Sequence, residues 1–193
     1  IRDLVRSRGL GDVYKRQLEY TWLRSLMKKH KDFWQVTQDA LDYALDACGI
    51  EDTGLRGDLI GAYMRLDCYP DVPETLRVLK KNGIKLAILS NGSPAMLDGA
   101  VKSSGIRDLF DRLLSVEDVG VYKPDPRVYQ LAEDSLKVPL HEIVFLSANA
   151  WDAVGAANAG LKVAWVICSR SSCSVVCHSS FRATEREESG RPR

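Results

Sequence analysis

Ile143-Val144-Phe145-Leu146-Ser147-Ala148-Asn149-Ala150-Trp151-Asp152 is the stretch that decides the fold of this chain. Four apolar residues, enough for a strand, give way to small polar ones. The small-residue run Ala153-Val154-Gly155-Ala156-Ala157 then continues with helical character. A strand feeding a helix is the repeating unit of α/β domains. Open parallel sheets bind ligands beyond the carboxyl ends of their strands. Ser147, Asn149 and Asp152 therefore stand where chemistry is expected.

Two further segments share this layout. Ile84 to Leu89 runs into Ser90-Asn91-Gly92-Ser93-Pro94. Leu113-Leu114-Ser115-Val116 leads by a short connection to Val121-Tyr122-Lys123-Pro124-Asp125-Pro126-Arg127-Val128-Tyr129. Three strand ends thus present Ser90, Lys123 and Asp152. From Val72 onward strands and helices alternate, which argues a parallel sheet covered on both faces. Val72 to Lys81 reads as a helix, with Pro73 near its start and Gly83 just past its end. Upstream, Leu18 to about Asp67 reads as helical. Its apolar stripes are Leu18, Trp22, Leu23 and Leu26; Leu41, Ala44, Leu45 and Cys48; and Leu59, Ala62, Tyr63 and Leu66. Gly49 and Gly54 punctuate between helices.

A chain of 193 residues can bury one core, or a core plus a small subdomain. Lys plus Arg (27) nearly cancel Asp plus Glu (26), so nothing in the charge asks for nucleic acid or a membrane surface. No apolar stretch is long enough to span a bilayer, and the N-terminus lacks a signal-peptide pattern. Of the 5 cysteines, Cys168, Cys173 and Cys177 sit at the chain's end. Cys48 and Cys68 stand in apolar helical contexts and read as reduced, buried small hydrophobes. The expected location is cytoplasmic.

Leu89-Ser90-Asn91-Gly92-Ser93-Pro94, Tyr122-Lys123-Pro124-Asp125-Pro126-Arg127-Val128-Tyr129 and Ser147-x-Asn149-Ala150-Trp151-Asp152 resemble the haloacid dehalogenase superfamily. Within it they resemble the (S)-2-haloacid dehalogenases, over roughly Gln17 to Ile167. The resemblance implies an α/β fold, a Rossmann-like parallel core carrying a helical cap subdomain. It divides the chain into a non-family segment 1–16, a cap 17–70, a core 71–168 and a disordered non-family tail 169–193. The family's first strand, ending in an aspartate within a D-x-Y-G-T-L type motif, is not found. Asp3 and Asp12 lack an apolar strand before them. The implied chain is truncated at its N-terminus, leaving the strands Ile84 to Leu89 and Ile143 to Leu146 short of a middle partner. The tail is Ser-, Arg- and Glu-rich, which favours disorder. The spacing of Cys168, Cys173, Cys177 and His178 matches no paired zinc-ligand pattern.

The resemblance also implies roles. Lys123 would hold the nucleophilic aspartate ionised, as an adjacent ammonium does for a partly buried carboxylate. Ser90 and the Asn91 backbone would bind the substrate carboxylate, helped by amides at a helix N-terminus. Asp152 would hold Lys123 and orient water; Ser147 and Asn149 would hydrogen-bond the nucleophile and that water. Tyr129, Trp151, Phe33 and Leu18 would line the substrate site. Each also has a plain structural reading, as helix cap, turn or core. Ala148 stands four residues before Asp152, where the superfamily's phosphatases carry an acid that helps bind magnesium. An alanine offers no oxygen to a hard cation. The expectation is hydrolytic dehalogenation of a small-molecule 2-haloalkanoic acid with no cofactor and no metal. A homodimer is compatible with the resemblance. The family's halide-assisting arginine position is held by Tyr14. Arg16, two residues later, lies about 200° around a helix and would point elsewhere. The rivals are a magnesium-dependent phosphatase and a non-catalytic binding protein on the same fold.

Overall fold

The computed structural model describes residues 10–168 and 173–178. Two compact units divide the chain, Ile1–Val138 and Pro139–Arg193.

The first unit opens with helix α1 (Leu10–Leu26), α2 (Phe33–Ala47) and α3 (Thr53–Ala62). Asp32 caps α2 by accepting from Gln35 N at 2.9 Å, and Asp52 caps α3 by accepting from Leu55 N at 2.9 Å. Val13 of α1 packs with Ala40, Leu41, Ala44 and Leu45 of α2, and Leu59 and Ile60 of α3 lie against them. The buried face of α1 differs from the expected one. Val13, Gln17 and Thr21 are inside, while Leu23 and Leu26 are exposed, Leu26 by 80%. The inward face is polar because Gln17 Nε2 donates to Thr37 Oγ1 at 2.9 Å, satisfying both groups in the interior. Residues 10–16 are continuous with α1 rather than set apart from it.

Helix α3 stops at Ala62, so Leu66 falls in the connector rather than on a third stripe, and Cys68 lies there too rather than in a helix. Cys48 is exposed, correcting the expectation of a buried thiol: it sits at the C-cap of α2, past the last inward position. Cys68 is partly exposed. The connector is pinned at Leu66, whose carbonyl accepts from Ser103 Oγ at 2.7 Å and Ser104 Oγ at 2.6 Å.

Helix α4 (Val72–Lys81) has the bounds its sequence predicts, and Gly83 turns the chain at φ +77°. Strand β1 (Ala87–Ser90) is shorter than the apolar run before it. Helix α5 (Pro94–Ser103) returns the chain to β2 (Arg112–Ser115), parallel to β1 with Ser90 opposite Ser115. Helix α6 (Pro126–Leu136) closes the unit, capped by Asp125, which accepts from Arg127 N at 3.0 Å. A second core of Val36, Val116, Val121, Tyr122 and Val128 joins α2 to the segment after β2, with Phe33 and Leu89 packed against it.

In the second unit β3 (Val144–Ser147) leads through α7 (Ala150–Ala159) to the parallel β4 (Lys162–Cys168). Leu161 N to Ala156 O and Gly160 at φ +107° make the turn between them. Strand β5 (Cys173–His178) pairs antiparallel with β4. This corrects the expectation of disorder throughout 169–193: Val175 and Val176 suit a strand, and β4 supplies the partner. Residues 169–172 and 179–193, like Asp3, lie outside the described residues. The mixed α/β character expected from sequence is present, with β1–β2 and β3–β4–β5 as separate sheets. Among the described residues β1 pairs only with β2, and β3 only with β4 along its parallel edge. No helix among them is long and apolar enough to cross a membrane.

Candidate active site

Lys123 is the most telling side chain of the first unit. It follows β2 by a short turn and is 4% exposed. Its Nζ donates to Leu89 O at 2.8 Å, at the end of β1, and its backbone N–H donates to Asn91 Oδ1 at 3.3 Å. The Lys123–Pro124 peptide is cis. A buried ammonium is costly unless anions or dipoles face it, so this position is suited to holding a carboxylate in its charged form. Tyr129, on the first turns of α6, is fully buried with its ring centroid 5.8 Å from Lys123 Nζ.

Ser90 and Asn91 occupy the turn from β1 to α5. Ser90 Oγ accepts from Gly92 N at 3.0 Å, and Gly92 O accepts from Ser115 Oγ at 2.7 Å. Ser93, not Asn91, caps α5, its Oγ accepting from Met96 N at 3.4 Å. The Asn91 side chain is thereby left to bond the Lys123 backbone. So Ser90, Asn91, Lys123 and Tyr129 gather at one place, the ends of β1 and β2.

Phe33 and Leu18 belong to the helical part of the same unit. Phe33 is the first residue of α2 and half-buried, its ring 6.1 Å from that of Tyr122. Leu18 is half-buried on α1, its carbonyl accepting from Thr21 Oγ1 at 2.8 Å. Arg16 is engaged elsewhere, as its helical position predicts: it pairs with Glu19 at 2.6 Å, donates to Tyr43 Oη at 2.8 Å and stacks over that ring.

In the second unit Ser147, Asn149 and Asp152 come together where β3 enters α7. Ser147 Oγ donates to Asp152 Oδ2 at 3.0 Å and accepts from Asn149 N at 3.2 Å. Asp152 is 6% exposed in the first turn of α7, where the helix dipole favours its charge. Asn149 holds the N-cap position without a side-chain cap bond, so the cap reading does not account for its side chain. Trp151 is half-buried on the same turn. Ala148 is exposed, and its carbonyl accepts from Trp165 Nε1 at 3.3 Å.

Sequence reasoning missed Glu117, His30 and Tyr122. Glu117 accepts from Phe33 N at 2.9 Å and meets His30 Nε2 at 2.8 Å. The Tyr122 hydroxyl donates to Lys31 O, and burial followed by the nearby Glu117 and Asp32 charges pushes its pKa well above the ordinary tyrosine value. Only the acid in Ser115-Val116-Glu117 hinted at these contacts, since long-range pairs leave no periodic trace.

Known proteins resemble this chain over most of its length. The family of haloacid dehalogenase-like hydrolases matches residues 7–160, starting upstream of Gln17. An (S)-2-haloacid dehalogenase of Pseudomonas sp. (strain YL) is 49% identical over 163 residues, 83% of this chain and 70% of that protein. An (S)-2-haloacid dehalogenase 4A of Burkholderia cepacia is 49% identical over 147 residues, 76% of this chain and 64% of that protein. Among solved structures, the L-2-haloacid dehalogenase of Xanthobacter autotrophicus with chloropropionic acid covalently bound superposes with a TM-score of 0.76 at 42% identity, covering 83% of this chain and 65% of that one. The chain thus spans about two thirds of the length of the relatives it matches.

Proposed function

This chain belongs to the haloacid dehalogenase-like hydrolase family, and from that premise we propose that it is built for hydrolytic dehalogenation of (S)-2-haloacids. An aspartate carboxylate attacks C2 and displaces halide, forming an ester. Water then hydrolyses the ester to the (R)-2-hydroxy acid. A relative that carries chloropropionic acid covalently supports this route.

In this reading Lys123 keeps the attacking carboxylate ionised and Asp152 helps orient the hydrolytic water. Ser147 and Asn149 bond the nucleophile and the hydrolytic water. Ser90 and the Asn91 backbone take the substrate carboxylate, and Leu18, Phe33, Tyr129 and Trp151 wall the alkyl and halogen end. Residues 17–70 act as cap and 71–168 as core. The observation that carries the reading is Ala148, four residues before the buried Asp152. It removes the carboxylate that magnesium-dependent phosphatase chemistry needs at that place. Unpaired Cys48 and Cys68 fit a reducing, cytoplasmic setting.

The nucleophile is the open element. No aspartate of this sequence follows an apolar strand in the family manner, and Asp12 falls within α1. These 193 residues on their own are therefore expected not to turn over substrate. The test is chloride release from each enantiomer of 2-chloropropionate, with and without EDTA. It is run on this chain and on this chain fused to a strand bearing the D-x-Y-G-T-L motif. The expected result is no release from the chain alone, and release from the (S)-enantiomer only, insensitive to EDTA, by the fusion. Loss of activity on chelation, or equal use of both enantiomers, overturns the dehalogenase reading. Enzyme-like rates from the unfused chain overturn the inactivity.

A further inference from the structure

Glu117 sits in the turn Val116–Asp118, between β2 and the Lys123 segment, with its side chain 19% exposed. Its carboxylate grips the α1–α2 connection twice, through Phe33 N at 2.9 Å and His30 Nε2 at 2.8 Å. The first contact adds a negative charge at the N-terminus of α2, where the helix dipole favours one. His30 Nδ1 is buried without a partner among the described residues, so Glu117 is the polar anchor of that ring. Tyr122 continues the same grip. Its ring lies 4.8 Å from that of His30, its hydroxyl donates to Lys31 O, and its N–H donates to Ser25 Oγ at 3.1 Å. Lys123 is the next residue. One short stretch, 117–123, therefore clamps the segment 25–33 and presents the buried ammonium.

We propose that Glu117 is a positioning residue that fixes Phe33 relative to Lys123. It thereby sets the spacing between the apolar wall and the charged end of the pocket. That Phe33 and Lys123 face substrate rests on the dehalogenase reading above; their coupling through Glu117 does not. The contact geometry explains why the carboxylate serves: one oxygen is needed for the amide of Phe33 and the other for the imidazole. Other charges near the clamp are Lys31, Asp32, Arg24 and Asp39.

The test is hydrogen exchange followed by mass spectrometry on the whole chain. The regions read are 27–34, 119–125 and, as a control, β4, each with and without (S)-2-chloropropionate. Glu117→Ala is expected to accelerate exchange about tenfold or more in the first two regions, the loss of a charge-assisted hydrogen bond. Exchange in the β4 control should not move. Glu117→Gln keeps an oxygen for Phe33 N and should hold exchange in 27–34 within about threefold of the parent. Should Glu117→Ala fail to fold, Glu117→Asp replaces it: one methylene shorter, it keeps the charge but withdraws the acceptor, and the same acceleration is expected. Unchanged exchange at 27–34, acceleration spread evenly over the chain, or Gln no better than Ala overturns the proposal. Absence of protection by (S)-2-chloropropionate in the parent counts against the dehalogenase reading, while the exchange differences still judge the coupling.

Discussion

Replacing Gln17 by Ala should destabilise the first unit more than any substitution on the exposed apolar stripe of α1. Gln17 is buried, and its carboxamide donates to Thr37 Oγ1 at 2.9 Å and lies near the Tyr63 hydroxyl. Thr37, itself fully buried, keeps its bond to Phe33 O at 2.7 Å but loses its donor. Each buried polar group left unsatisfied costs on the order of 1–3 kcal/mol. Tyr63 is only half-buried, so water recovers some of its loss. A total of about 2 kcal/mol follows. Leu26, 80% exposed, should change stability by no more than about 0.5 kcal/mol on truncation to Ala. The assay is urea unfolding followed by far-UV circular dichroism. At an m-value of about 2 kcal/mol/M the Gln17→Ala midpoint should fall by about 1 M, with that of Leu26→Ala unmoved. If Leu26→Ala costs as much as Gln17→Ala, the polar face is not the packed one and the helix is rotated from the arrangement described.

Three further outcomes are expected. In the fusion that carries a strand-end aspartate, Lys123→Ala should lower turnover by about a hundredfold or more, as loss of a preorganised charge does. Lys102→Ala, an exposed residue paired with Asp98 at 2.6 Å, should leave turnover unchanged, and similar effects of both would reduce Lys123 to a turn residue. Arg56 hydrogen-bonds Asp42 and holds its carboxyl below the ordinary aspartate range. A depressed pKa stabilises above the unfolded value and fades as pH falls through the folded one, so the small Arg56→Ala deficit, up to about 1 kcal/mol for so exposed a pair, should shrink on acidification. A deficit that grows toward acid pH contradicts the assignment, read from urea midpoints at neutral and acid pH. Strand β3 exposes Val144 by 57% and Leu146 by 63%, and edges of this kind template association. Leu146→Lys should therefore lower light scattering of the purified chain, and equal scattering would place self-association elsewhere.

Legibility in the sequence followed locality. Helix α4 was readable to the residue because Pro73 and Gly83 mark its ends by backbone chemistry alone. Strand ends at Ser90 and Ser147 were readable because apolar runs stop at small polar residues. The α1 face was not: a leucine stripe is the stronger periodic signal, and only knowledge of Thr37 and Tyr63 makes Gln17 an inward residue. The exposure of Cys48 turned on where α2 stops, and caps shift by a residue or two without changing the pattern. Strand β5 depended on pairing with β4, a non-local choice that a polar, serine-rich composition conceals. At the site, the groups within five residues of one another, Ser147, Asn149 and Asp152, were legible as a set. The Glu117 clamp spans more than eighty residues and was not.

The pinned connector at Leu66 bears on how this chain tolerates redesign. Position 99 on α5 faces the same connector, and a Cβ there would meet Met64 O at 3.0 Å. Two hydroxyls hold the strap down at its far end while the missing side chain at Gly99 lets it lie close. Together with the grip of residues 117–122 on residues 25–33, and the core that Val36 shares with Val116, Val121 and Val128, this attaches the helical region at separated places. Helices grafted from another relative would inherit that attachment only if Gly99, Ser103, Ser104 and Glu117 travelled with the graft or already stood in the recipient.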